Sequence, residues 1–249
     1  MTFIRVLTGL LFAIFAASEF AIAADQENVS GVTVTFDDNE SYTFTETDRA
    51  TIQKIVDATI PEIAAVLPGA PNTVEIVIAT GDQVIPELGS SGAALAPGRV
   101  TWIVDPTFEG GVAENAANTL RETLFHEIHH LVRGWTFEGG TTGQRMIDAV
   151  VAEGLATAFE RDAADANPLW GQYDPEVVPA WVEELIPVPD FRDYGIWMFE
   201  HPDGRKWIGY RAGTYIADQA IAATGETAAT LATTPTDEIL EAAGFNTPE

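Results

Sequence analysis

The stretch "LRETLFHEIHHLVRGW", Leu120 to Trp135, constrains this chain more than any other. The sequence holds only 4 histidines, and three of them, His126, His129 and His130, fall between positions 126 and 130. The spacing predicts a helix over 114–133. At about 100° per residue, Leu120, Leu124, Ile128, Leu131 and Val132 gather on a core face. His126 and His130 fall roughly 40° apart on nearly the opposite side, among Ala116, Thr119 and Thr123. Two imidazoles one turn apart converge on one point, and small neighbours leave space for an ion and for something bound to it. Glu127 lies at the edge of that face, close enough to touch a metal-bound water yet poorly aimed to be a ligand. The arrangement is H-E-x-x-H over His126, Glu127 and His130. His129 falls beyond His126, between Glu122 and Arg133, and reads as solvated or as a hydrogen-bonding support for the ligands.

A catalytic zinc site takes three protein ligands and keeps a fourth position open. The remaining histidine is His201, so a carboxylate is the expected third ligand. "DAVVAEGLATAF", 148–159, supplies one. From Ala149 to Phe159 the single charged side chain is Glu153, on a helix apolar around most of its circumference. Burying a lone carboxylate is unfavourable unless something positive compensates it. Zinc would do so; an ion pair with Arg145 or Arg161 is the alternative. Thr157, one turn on, shares the face of Glu153 and is placed to accept a hydrogen bond from a ligating imidazole.

Along the chain, "GVTVTF" (31–36) and "SYTFTE" (41–46) alternate like two strands around "DDNE". Residues 47–67 have helical spacing, with Thr47 as N-cap, and 72–81 and 98–106 read as strands. Between those strands, "ELGSSGAALAPG" is a Gly- and Ala-rich loop or hairpin. Beyond Pro106 nearly everything reads helical: 114–133, 143–164, 175–185, 206–223 and 235–243. Strands first and helices later predict an α+β fold, with a small N-terminal mixed sheet and a mostly helical C-terminal half. No internal repeat or low-complexity linker interrupts it, so 24–249 is expected to be one unit. Its α/β lobe would cover about 24–134 and its helical lobe about 135–249.

"TLFHEIHHLVRG" followed by "MIDAVVAEGLATAFE" resembles the gluzincin metallopeptidases, in which H-E-x-x-H precedes a glutamate ligand on the next helix. The closer likeness is to a bacterial family described as predicted zinc-dependent proteases, with H-E-x-H-H, then E-G-L-A, then G-Y-x-x-G. Those motifs stand here at 126–130, 153–156 and, as "GYRAG", 209–213. The region before about residue 95 carries no matching motif. The resemblance implies a zincin-like fold and one Zn²⁺ held by His126, His130 and Glu153. It makes Glu127 the general base for attack of water on a peptide carbonyl. The oxyanion then needs a donor besides the metal. Tyr210, in the third motif, is the first candidate, with packing on the zinc helix as its other reading. His201 in "FEHPDGRKW" is second, with a plain surface loop as its other reading, and Arg211 is third. In zincin folds the peptide lies along an edge strand. "GRVTWIVDP" (98–106) is a candidate for that strand, although a buried central strand suits its composition equally. Trp102, Trp135 and Phe137 could line pockets or pack in the core.

The N-terminus adds an address. Met1 to Arg5 carries a positive charge, "VLTGLLFAIFAAS" is apolar, and "AIA" at 21–23 offers small residues for cleavage. Residues 1–23 read as a signal peptide, with an uncleaved anchor as the alternative, and 24–46 could act as a prosegment. The chain has no cysteine, which excludes disulfides, lipid-anchoring thiols and thiolate chemistry. Twelve basic against 38 acidic residues give a net charge of −26, a surface that repels nucleic acid and anionic lipid. The expected partner is a peptide or protein substrate in the periplasm or outside the cell, with no nucleic acid and no stable membrane association. A catalytically inactive, zinc-stabilised binding module is the competing reading, and a metal-free structural domain a third.

Overall fold

The computed structural model of the protein describes residues 31–138 and 145–246; the leader reading of 1–23 lies outside them. Four strands form one mixed sheet: β1 (Val32–Phe36), β2 (Val74–Thr80), β3 (Ser90–Ala96) and β4 (Arg99–Val104). Their order across the sheet is β1-β2-β4-β3. β1, β2 and β4 run parallel, and β3 returns antiparallel to β4. Helix α1 (Glu46–Val66) crosses from β1 to β2. After β4 the described chain is helical: α2 (Gly111–Arg133), α3 (Met146–Ala164), α4 (Val178–Leu185), α5 (Tyr194–Met198), α6 (Ile208–Thr224) and α7 (Thr236–Ala242). This is the expected α+β arrangement.

β2 and β4 alternate buried and partly exposed positions. One sheet face therefore delivers Val74, Ile76, Ile78, Val100, Trp102 and Val104 to the core. That cluster continues without a break through Leu120 and Leu124 on α2, Val150 and Leu155 on α3, and Ile216 on α6. α3 is buried on nearly every side, which is why its sequence shows a long apolar run rather than a stripe.

Two sequence expectations are corrected. Residues 41–46 are not a strand. Asn39 Oδ1 accepts the backbone N–H groups of Ser41 and Tyr42 at 2.8 and 3.0 Å and turns the chain. Phe44 then drops into the core against Phe36, their ring centroids 5.3 Å apart. Thr45, not Thr47, caps α1. Its hydroxyl accepts the Asp48 N–H at 3.1 Å while the Asp48 carboxylate accepts the Thr45 N–H at 2.9 Å. β4 lies between β2 and β3, so the 98–106 segment is a central strand. The sheet edge beside α2 is β3, from the Gly- and Ala-rich stretch. Of residues 24–46, held open as a prosegment, the described part 31–46 supplies strand β1 and core residue Phe44.

Candidate active site

The site is assembled where α2, α3 and α6 meet. Gly154 on α3 faces Gly213 on α6, and a β-carbon at either position would collide with the other helix's backbone. Bare backbones on both sides let the two helices cross closely. Glu153 and Tyr210 are thereby brought to one cavity, together with His126 and His130 from α2.

The His126 and His130 Nε2 atoms lie 3.1 Å apart, and each is 3.2 Å from Glu153 Oε2. All three side chains are buried. Ligands about 2.0–2.1 Å from a tetrahedral zinc stand roughly 3.3 Å from one another, so this triangle is close to what such an ion requires. The remaining atoms of two of these groups are fixed by neighbours. His126 Nδ1 lies 3.0 Å from Glu160 Oε2, on α3 two turns beyond Glu153. An N–H donated there leaves the Nε2 lone pair facing the other two groups. The Tyr194 hydroxyl donates to Glu153 Oε1 at 3.1 Å, leaving Oε2 for the centre. Tyr194 is also hydrogen-bonded to Tyr210. Its own proton goes to Glu153, so Tyr210 is the donor in that pair. His₂Glu with neutral imidazoles suits Zn²⁺ best and admits other divalent ions.

Burial alone would raise the Glu153 carboxyl, but the imidazoles of His130 and His126 outweigh it and hold the group well below the usual carboxylate range. Glu127 behaves in the opposite way. Burial pushes it above the ordinary value, opposed by His126, His130 and the Ala94 backbone N–H. Its carboxylate lies directly beneath β3 at Gly92, where a β-carbon would press on Glu127 and Thr123. Burial likewise pushes both Tyr194 and Tyr210 well above the ordinary phenol value, aided by Glu153.

The remaining candidates are placed as follows. Arg145 pairs with Asp148 and Asp237, and Arg161 with Asp162 and Asp218, so neither meets Glu153. Thr157 does not support an imidazole: its hydroxyl has no hydrogen-bond partner among the described residues, and Glu160 takes that place. His129 is not solvated. It is fully buried, with Nε2 3.1 Å from the Ala228 carbonyl and its ring on Phe159. Burial lowers its pKa to about 3. Helical spacing sets His129 between the polar Glu122 and Arg133, whereas the segment after α6 covers that face. His201 stays outside the cavity, its Nδ1 2.9 Å from Asp203 and its ring 4.9 Å from Trp197. Arg211 also lies outside the lining. Trp102 is a core residue, while Trp135 and Phe137 line the cavity. Glu160, Tyr194 and Gly92 were not singled out from the sequence. Glu160 alone left a signal there, on the same helix face as Glu153 two turns away.

Fold and site define a class: α+β proteins in which a sheet edge overlies a helix bearing two histidines one turn apart, with a carboxylate contributed by the next helix. The chain belongs to the family described as "Predicted Zn-dependent protease (DUF2268)", whose model matches residues 52–241. Comparisons with curated proteins and with solved structures found no match.

Proposed function

We propose that this protein is an exported zinc metallopeptidase of the gluzincin type, hydrolysing peptide bonds with one Zn²⁺ and with Glu127 as general base. The observation that carries the reading is the buried triangle of His126, His130 and Glu153, its donor atoms 3.1 to 3.2 Å apart beside a large cavity. When bound there, zinc supplies Lewis-acid polarisation of water and of the scissile carbonyl. Glu127 takes the proton of the attacking water and hands it to the leaving amine, a task suited to a carboxyl raised above its usual range. Tyr210 keeps its proton over a wide pH range, and its single O–H turns from Tyr194 to the carbonyl oxygen as that oxygen gains charge. Tyr194 holds both Tyr210 and Glu153 in position, and Glu160 orients His126.

The acidic surface suits neutral or cationic peptides and disfavours nucleic acid. Export completes the reading, and the intact mass of the native protein checks it by placing the mature N-terminus near Ala24.

The test is metal analysis paired with digestion of a peptide library by the wild type and Glu127→Gln. Both proteins are expected to hold zinc, with turnover falling by about 10²–10⁴ in the variant. A zinc-loaded wild type that cleaves nothing would overturn the proposal in favour of a binding module. So would undiminished cleavage by Glu127→Gln.

A further inference from the structure

We infer that substrates are selected by one large apolar side chain seated in an aromatic pit beside the metal centre, with a single residue of backbone pairing to the sheet edge. This rests on the metallopeptidase reading above.

The edge strand β3 sets the limit. Along an antiparallel strand, backbone groups alternate between the two sides. Gly89 O accepts from Asp105 N on the β4 side, so Ser90, Gly92 and Ala94 direct theirs outward. At one end, Ser90 O is taken by Ile85 N at 3.1 Å. At the other, Ala94 O accepts from Phe137 N at 3.1 Å and Leu95 O from Glu138 N at 2.8 Å. The Ala94 N–H is engaged by Glu127. Among the described residues of β3, only Gly92 keeps both its outward N–H and C=O unpaired, directly above Glu127. A long peptide therefore finds no ladder to extend, and side-chain burial must supply most of the affinity.

The stoppers themselves build the pit. Ile85 and Pro86 close one end of a cavity of about 600 Å³, Trp135 and Phe137 the other, and Trp170 and Trp207 contribute further rings. Phe137 and Phe199 stand 61% and 45% exposed in its lining, apolar rings that a bound side chain would cover. Apart from the site groups already named, the described residues of the lining carry Glu87, Glu200 and Lys206 as their charged side chains, with Lys206 Nζ 3.7 Å from Glu200. No cation of the described lining is left unpaired for an acidic side chain or a terminal carboxylate. The pit selects for large apolar residues and against acidic ones.

The test uses zinc-loaded full-length protein and calorimetric affinities for a hydroxamate series. N-acetyl-phenylalanyl and N-acetyl-leucyl hydroxamates are expected to bind about tenfold or more tighter than acetohydroxamic acid, and the aspartyl analogue no tighter. Phe137→Ala should shrink the phenylalanyl advantage. In a tetrapeptide hydroxamate N-methylated at each amide in turn, affinity should fall at one position only. Equal affinities across the series, a preference for the aspartyl compound, or sensitivity at alternating amides would overturn the inference. A digest of a proteome-derived peptide library separates the two readings. Cleavage combined with flat hydroxamate affinities would refute the pit and leave the peptidase standing. An apolar preference without any cleavage would do the reverse.

Discussion

Glu160 sits two turns beyond Glu153 on α3 and reaches the back of the His126 ring, 3.0 Å from Nδ1. A carboxylate there fixes the tautomer and orientation of His126 and makes its Nε2 a better donor. Glu160→Ala is therefore expected to weaken zinc binding by about 10–100-fold in a chelator competition, with Glu160→Gln losing less because its amide oxygen still accepts. Equal affinity in wild type and alanine variant would refute that role. The sequence pointed to Thr157 instead, because it shares the face of Glu153 one turn on. Thr157 is too short for the task, and Glu160 begins the charged run "ERD" in which a buried carboxylate does not stand out. His126, Glu127, His130 and Glu153 were legible because each is a polar exception on an otherwise explicable helix. Tyr194 was not, because nothing local distinguishes it until the fold brings it to Glu153.

Among elements, the crossing of α3 and α6 decides whether Glu153 and Tyr210 share a site. Gly213→Ala places a methyl group against the Val150 carbonyl and the Gly154 backbone. Overpacking of this kind costs about 1–3 kcal/mol. Denaturant unfolding should show that loss, and the variant should lose turnover beyond what its unfolded fraction explains. A variant of unchanged stability would mean that the helices separate freely. The helices themselves were readable from apolar spacing, but this crossing was not, because two glycines on different helices carry no mutual signal along the chain. β3 was obscured for a related reason. "SSGAALA" lacks the branched and aromatic residues that mark strands. Small residues stand there because α2 lies tight beneath them: Ser90 Oγ is 2.9 Å from Thr119 Oγ1, and Gly92 has no room for a side chain. In 41–46, alternation gave a strand period, yet the Asn39 turn and the Thr45 cap had prior claim on the backbone.

Over the whole molecule, the candidate metal site is set among the core helices, with His126, His130, Glu153 and Glu160 all buried. Removing a cation from that cluster should lower stability throughout. At a free zinc concentration a hundredfold above Kd, the loss on chelation is about 2.7 kcal/mol, a fall of roughly 5–10 °C in Tm, reversed by adding zinc. An unfolding curve indifferent to chelator and zinc would contradict a native-state site. Composition gave the charge at this scale, while the order of strands across the sheet depended on pairings between segments far apart in sequence.

The stoppers on β3 also bear on colloidal behaviour. A bare sheet edge invites pairing with the same edge of another copy, the route by which β-proteins clump. With Ile85 on one end and Phe137 and Glu138 on the other, the gap at Gly92 is too short to template a foreign strand. The pairings that close the ends of β3 beside the candidate site also keep that side of the sheet from recruiting its neighbours.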